Sequence, residues 1–474
     1  MLNPFTQQDV ERLPDVSALI LAAGKGTRMQ SDRPKVLQTL LETPMLWYVY
    51  QVLDRLISPE KIHTVVGYQQ ELVRAAFPDR EDRFILQAEQ LGTGHALQCA
   101  FEALVQQGCR WCLVVNGDVP LIRARELRRF VQEAIRREAV VSFLSLELDD
   151  PAGYGRVLRN GDGCVRMIVE EKDIGERSAV RDVNEVNSGI YCLDLDRVRP
   201  CLDRLENTNV QQEYYITQLV DLGVQDEQPV LAVNAGARAQ FLGINTPFEL
   251  ASCEEMLRAR IVRQFQEAGV IMHNPDQIRI APQVEIEAGA EITGPTEVYG
   301  RSRIMSRAKL DSHLWIQDSR IGVQAWIRNF SHLEGVIVGD HCQVGPFARL
   351  RPDSELRTGA KAGNFVEIKK ALLDAGCKVN HLSYIGDATL GQDSNVGAGT
   401  ITCNYDGYNK HKTSVGKQAF IGSNTSLVAP VSIGENAVVG AGSVVTKDVP
   451  DEKLAVSRAR QKNLDWKRTR SRNS

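Results

Sequence analysis

Between Val415 and Val445 the chain reads VGKQAF-IGSNTS-LVAPVS-IGENAV-VGAGSV-V, in six-residue blocks that each open on Val, Ile or Leu. A period of six fits neither the 3.6-residue turn of a helix nor the two-residue alternation of a single strand. Further back, the same apolar position recurs at Val338, Val344, Leu350, Leu356, Ala362 and Ile368. Before that it recurs at Ile280, Ile286, Ile292, Val298, Ile304, Leu310 and Ile316. Two one-residue slips separate these registers. Three hexads make one triangular coil of a parallel β-helix, with the repeated aliphatic side chain filling the interior. About nine coils rising about 4.8 Å each predict a prism about 43 Å tall. Small residues follow many of the aliphatic ones, as in Ile421-Gly422, Ile433-Gly434 and Val439-Gly440, which reads as glycine permitting a tight corner. The rhythm breaks over Thr402 to Ser414, a polar stretch with two tyrosines, Tyr405 and Tyr408. An insertion of this kind reaches over a ligand or a neighbouring subunit.

N-terminal to the repeat the period changes. Thr246-Pro247-Phe248-Glu249 spells a capping box with proline at the first helical position, so a helix starts there. Leu250, Cys253, Met256, Leu257, Ile261 and Phe265 follow helical spacing until Gly269 can stop the run. This reads as a rigid arm. From Val16 to about Gly243, apolar runs such as Ala18 to Ala22, Trp111 to Val115 and Val140 to Leu146 alternate with amphipathic stretches. That is the rhythm of an α/β domain with a mostly parallel sheet, whose ligands sit at the carboxyl ends of its strands. The expected divisions are an N-terminal tail over 1–16, the α/β domain over 17–245, a helical linker over 246–277, the β-helix over 278–449 and a basic tail over 450–474.

Composition narrows the function class. The 474 residues hold 56 basic and 60 acidic side chains, a near balance that argues against non-specific nucleic-acid binding and for small-molecule chemistry. Ten cysteines are scattered from Cys99 to Cys403. The lone Cys109-Arg110-Trp111-Cys112 lacks a second pair or a histidine cluster and reads as strand packing. Scattered free thiols, a polar acidic start and the absence of any run near about 18 apolar residues are the expectations for a cytoplasmic protein without a membrane span. The segment after Pro450 holds eight basic residues against three acidic ones, suited to a solvated end or to contact with a phosphate-rich cofactor.

Leu19-Ile20-Leu21-Ala22-Ala23-Gly24-Lys25-Gly26-Thr27-Arg28-Met29 is an apolar strand running into a glycine turn. Backbone N–H groups there can approach phosphates, and Lys25, Arg28 and Lys35 supply positive charge. Met29 replaces the third glycine of a dinucleotide fingerprint, and no Gly-Lys-Ser/Thr follows. Asn116-Gly117-Asp118 closes another apolar run, placing a hard oxygen ligand at a strand end. An isolated Asp in that position is more often a helix cap, so its reading depends on a partner. Within the β-helix, His381 lies off the inward positions, and histidine has the ordinary pKa best suited to deprotonating an amine near neutral pH.

The string Leu-Ala-Ala-Gly-x-Gly-Thr-Arg-Met with Pro34-Lys35 downstream resembles the signature of sugar-nucleotide pyrophosphorylases. From about Ala18 to Arg458 the chain closely resembles the bifunctional bacterial N-acetylglucosamine-1-phosphate uridyltransferase / glucosamine-1-phosphate N-acetyltransferase family. The resemblance implies a Rossmann-like nucleotide-diphospho-sugar transferase domain followed by a left-handed parallel β-helix, with homotrimers assembled through the β-helix. It implies that UTP and the sugar nucleotide are held by Leu21, Ala22, Gly24, Lys35, Gln87, Gly92, Thr93 and Asn116, with Gly155, Glu170 and Asn187 on the sugar. Mg²⁺ would be held by Asp118 and Asn245, and Arg28 and Lys35 would stabilise the transferring charge. In the second domain it implies His381 as base with Glu367 orienting it, and Arg351, Lys369, Tyr384 and Asn395 on glucosamine 1-phosphate. Ala398, Asn404, Tyr405, Ser423, Ala441 and Arg458 would contact acetyl-CoA. Tyrosine often stands in the family where this chain has Asn116, a change that spares the metal ligand and alters one substrate contact. A purely structural prism would need none of His381, Arg351 and Lys369.

Overall fold

The computed structural model describes residues 11–175, 178–237 and 239–466, and the chain divides into two compact units at Leu257 and Arg258. In the first unit one sheet runs in the order Val230–Asn234, Val141–Glu147, Glu185–Asp194, Trp111–Asn116, Val16–Ala22, Ile62–Val66, Phe84–Leu86. Glu185–Asp194 is antiparallel to both neighbours; the other pairs on this path are parallel. Val16–Ala22 is nearly continuous apolar sequence because helices cover both of its faces. Ala18, Ile20 and Ala22 pack with Leu46, Val49 and Phe130 on one side, while Leu19 packs with Leu97, Phe101 and Val198 on the other. Leu21 stands opposite Asn116 in register. The turn after Ala22 and the Asn116–Asp118 segment therefore leave the sheet side by side, at its carboxyl edge. A hairpin, Arg156–Arg159 with Val165–Val169, joins the sheet where Arg156 faces Val186.

The helix Pro247–Glu267 begins as the capping box requires: Glu249 accepts from the Thr246 N–H at 2.9 Å and Thr246 Oγ1 accepts from the Glu249 N–H at 3.2 Å. Cys253, Leu257, Ile261 and Phe265 are buried, whereas Met256, expected on the same stripe, is exposed. The segment over 246–277 is helical only to Glu267; Gly269 takes a φ of +93°, and Ile271–His273 is already a strand of the solenoid, pairing with Glu291–Thr293. At the other end Leu454–Ala455 pairs with Val438–Val439, so the solenoid runs on into the basic segment.

The second unit is a three-faced parallel β-helix whose faces carry, among the described residues, eleven, ten and nine strands. Up to the last coil each strand pairs with the third one on: Glu291 faces Lys309, eighteen residues later, and then Lys309 faces Trp326 and Trp326 faces Gln343, each seventeen later. These shorter coils are the one-residue slips of the sequence. All nineteen recurring aliphatic positions are buried, Ile280 and Val344 among those wholly so. The glycines act differently from expectation. A Cβ on Gly422 would meet Ala441 N at 2.4 Å, and one on Gly434 would meet Asp451 N at 2.4 Å, so these glycines admit the next coil. The left-handed corner conformations fall two residues later, on Asn424 (φ 56°) and Asn436 (φ 52°). Corner hydroxyls then satisfy carbonyls three residues back, as Thr425 does for Gly422 at 2.6 Å and Ser394 for Gly391 at 2.7 Å.

Candidate active sites

A cleft of about 790 Å³ opens at the carboxyl edge of the first unit's sheet. Apart from Gly155 and Asn187, every residue expected to meet the nucleotide, sugar or metal in this unit lines it. Asn245 Oδ1 accepts from Arg28 Nη2 and from Lys35 Nζ, both at 2.8 Å, and Lys35 also forms an ion pair with Asp118 Oδ2. Three segments far apart in sequence thus converge on one lysine. Among the described residues Asp118 Oδ1 is buried without a hydrogen-bond partner, which leaves a carboxylate oxygen beside an amide oxygen. Among the described residues no three His, Cys, Asp or Glu side chains cluster as a metal site. One carboxylate and one amide oxygen nevertheless suit Mg²⁺, which takes most of its octahedral shell from phosphates and water.

The segment expected to hold the nucleotide through Gln87, Gly92 and Thr93 is built around Gln87. Its amide donates to Gly92 O at 3.0 Å and to His95 Nδ1 at 3.1 Å, so its own oxygen is left as an acceptor at the cleft. Gly92 (φ +103°) cannot carry a side chain, because a Cβ would lie 2.5 Å from Tyr214 O. Thr93 opens the helix Thr93–Gln106 without capping it; its Oγ1 instead accepts from Ile216 N–H at 3.1 Å. Across the cleft, burial raises the Glu170 carboxyl above its usual range, with the Thr217 hydroxyl, 2.9 Å away, opposing the shift. Gly155 sits directly against Glu170, where a Cβ would come within 3.3 Å of Oε2. Asn187 spends its side chain internally, donating to Tyr191 Oη at 2.7 Å and accepting from Gly189 N–H at 3.0 Å. Asn116 Nδ2 lies over Gly189 so closely that any side chain at that position would collide with it.

Sequence reading missed the wall formed by Lys172, Gln211 and Glu213. Lys172 Nζ bonds Gln211, and the segment is pinned by Tyr214 N–H to Leu91 O at 2.8 Å and Gly94 N–H to Tyr214 O at 2.7 Å. Gln211-Gln212-Glu213 carries no glycine turn or strand end that would mark it.

In the β-helix His381 stands one coil above Asn364, in register. Its Nδ1 lies 2.6 Å from Asn364 Oδ1. The expected orienting carboxylate is not at this contact. Glu367 pairs with Arg351 at 3.0 Å and stacks in register with Arg349 and Tyr384, a ladder belonging to the next face. In a β-helix the residue beneath a side chain is set by coil length, here seventeen, and sequence proximity does not show it. Of the residues expected on acetyl-CoA, Ala398, Ser423, Ala441 and Arg458 continue upward along the His381 edge, whereas Asn404 and Tyr405 lie around the corner at the polar insertion. Asn424 N–H bonds Ala398 O and Gly442 N–H bonds Ser423 O, both at 2.8 Å, and Arg458 Nη1 bonds Ala441 O. Small side chains repeated about every 4.8 Å make a smooth track for an extended ligand.

Around the corner, Lys369 and Gly386 are in register, and a Cβ on Gly386 would meet the Tyr384 hydroxyl at 2.5 Å and Asn404 Nδ2 at 2.9 Å. The polar insertion folds back as a hairpin bridged at Tyr405 and Lys410. Asp406 ties it by accepting from Asn409 N–H at 2.6 Å, Tyr408 N–H at 2.8 Å and His411 Nε2 at 2.7 Å. Sequence reading passed over Lys410, which this hairpin brings beside Lys369; the neighbouring ammonium depresses its pKa. Two cations side by side suit a shared anion such as a phosphate. Asn395 lies on the His381 face, in register with Lys378 and Phe420, away from the Arg351 ladder.

Residues 18–169 match the family model of the MobA-like NTP transferase domain, and residues 412–447 that of the hexapeptide repeat of succinyl-transferase. Nearly the whole chain is similar to curated proteins named bifunctional protein GlmU. That of Nitratidesulfovibrio vulgaris is 51% identical over 450 residues, 95% of this chain and 98% of the relative. That of Lawsonia intracellularis is 45% identical over 449 residues (94% and 97%), and that of Acinetobacter baumannii 39% over 445 residues (94% and 96%).

Proposed function

Because the chain belongs to the family of bifunctional GlmU proteins, we infer that it makes UDP-N-acetylglucosamine with two transferase sites, one in each unit. The first reaction is acetylation. His381 Nε2 takes a proton from the amine of glucosamine 1-phosphate as the nitrogen attacks the thioester carbonyl of acetyl-CoA. The C–N bond forms, the C–S bond breaks, and the imidazolium returns its proton to the departing thiolate. Arg351, Lys369 and Lys410 hold the sugar phosphate, and the track from Ala398 to Arg458 carries the coenzyme. The observation that supports this most directly is a histidine at the foot of that track, its Nδ1 held 2.6 Å from Asn364 Oδ1.

The second reaction joins N-acetylglucosamine 1-phosphate to UTP. A phosphate oxygen of the sugar attacks the α-phosphorus and pyrophosphate leaves, a transfer governed by positioning and electrostatics. Gln87 offers an acceptor to the uracil edge, Glu170 a buried carboxyl to the sugar, and Arg28 and Lys35 neutralise the transferring charge. Asp118 and Asn245 would hold Mg²⁺, which supplies charge neutralisation of the nucleotide phosphates when bound. Lys35 already contacts both of these residues.

Among the described residues no helix is long and apolar enough to cross a membrane, and the reading assigns the enzyme to the cytoplasm. Assembly as a homotrimer is part of the same reading. It is supported by an apolar ridge on one β-helix edge, where Phe330, Phe347 and Phe365 stack at 4.9 and 5.2 Å with about half of each side chain exposed. The decisive experiment is a mass-spectrometric product assay with glucosamine 1-phosphate, acetyl-CoA, UTP and Mg²⁺, omitting each in turn. UDP-N-acetylglucosamine that requires acetyl-CoA is the expected product; a product formed only from N-acetylglucosamine 1-phosphate would leave the β-helix without its activity.

A further inference from the structure

We propose that Asn364 is a positioning residue for acetyl transfer: its side-chain oxygen fixes the tautomer and the ring orientation of His381. The proposal rests on the reading of His381 as the base. Asn364 and His381 occupy the same corner on successive coils, in register, and each precedes a residue in the left-handed conformation, Phe365 (φ 56°) and Leu382 (φ 48°). The backbone around the histidine is pinned on both sides. Leu382 N–H bonds Asn364 O at 3.0 Å, and the Ser383 hydroxyl bonds His381 O at 2.8 Å. What remains free is rotation of the ring, and the contact of 2.6 Å between Nδ1 and Asn364 Oδ1 removes it.

A carbonyl oxygen can only accept, so Nδ1 must carry the hydrogen. The proton-free nitrogen is then Nε2, the atom that takes a proton from the attacking amine. A neutral acceptor does this without the cost a carboxylate would bring. An anion at this distance favours the imidazolium and would keep the base protonated to higher pH. The nearby carboxylate that could have served, Glu367, is committed to Arg351. Asn364 thus takes the role that a carboxylate plays in other base-orienting pairs, without adding a charge beside the ring.

The test uses the full chain and steady-state acetyl transfer from acetyl-CoA to glucosamine 1-phosphate. Asn364→Ala is expected to lower kcat by about 10- to 100-fold, part of the 10²–10⁴ that a general base supplies. Both KM values should stay within about twofold of the starting enzyme. Asn364→Asp keeps the acceptor and the shape, so activity should recover at alkaline pH. The acid limb of its pH–rate profile should move up by about one unit, because the added charge raises the histidine pKa. A kcat for Asn364→Ala within about twofold of the starting enzyme would overturn the proposal. So would a raised sugar-phosphate KM with kcat unchanged, or an unmoved pH profile for Asn364→Asp. The two levels separate through His381→Ala. If that variant keeps its acetyl transfer, the base reading itself fails; if it is inactive while both Asn364 variants behave as the starting enzyme, only the positioning role fails.

Discussion

The nucleotide cleft joins Arg28 to Asn245 across 217 residues of chain, whereas His381 meets its partner Asn364 only 17 residues away. In the α/β unit each functional side chain arrives on its own loop at the edge of a prebuilt sheet, and is then fixed by charge: Lys35 ties Asp118 to Asn245. In the β-helix a side chain inherits its position from the coil beneath it, and hydrogen bonds such as Asn424 N–H to Ala398 O repeat at every step. The first construction confines damage to one loop. The second couples each coil to the ones directly above and below it.

The largest expected effect breaks the two sites apart. His381→Ala should cut acetyl transfer by roughly 10²–10⁴ and leave uridylyl transfer intact. Asp118→Ala should do the reverse, with a loss of about 10²–10³. Separate assays of the two half-reactions measure this, and either substitution abolishing both in a folded protein would refute independent sites.

Packing gives the next effect. Gly422→Val must push back Ala441 N, which already stands 2.4 Å from the place of a Cβ. A cost of about 1–3 kcal/mol or more follows from overpacking, and the β-helix transition should melt earlier with acetyl transfer reduced. Gly161→Ala in the α/β unit, where a Cβ would meet nothing within 4 Å, should shift neither melting transition. Circular dichroism melts compare them, and equal effects would erase the contrast.

The smallest effect concerns Asp221, whose carboxyl burial raises from 3.8 to about 6, against the opposing Ile168 N–H at 3.3 Å. The folded state holds this proton to higher pH than the unfolded chain does. Its contribution to stability is therefore complete below about pH 4 and is lost as the pH rises through about 6. Asp221→Asn should flatten that part of the pH dependence of melting in the α/β unit. An unchanged slope would show that Asp221 is not its source.

Much of this was legible in the residues. The hexad of aliphatic side chains identified the prism, because a repeated inward position must be apolar in every coil. The run Leu19 to Met29 and Asn116-Gly117-Asp118 marked the cleft, because glycine turns and strand-end acids leave a local trace. Met256, Glu367 and Lys410 escaped such reading for different reasons. Met256 fits the helical stripe yet faces solvent, and helical spacing alone does not say how wide the buried stripe is. Glu367 sits near His381 in sequence but on another face. Lys410 lies in a polar insertion whose hairpin is closed by Asp406, a contact without a sequence period.

The sequence alone determined the two architectures, their order, and the residue types available for acyl and nucleotidyl chemistry. These follow from local periodicity and short motifs, which act through neighbours along the chain. Only the tertiary structure decided which partner each functional group meets: Asn364 beneath His381, Arg351 on Glu367, Lys35 between Asp118 and Asn245. Such pairings depend on coil length and loop trajectory. A coil one residue longer or shorter changes which sequence positions stack across it while leaving the apolar pattern almost unchanged.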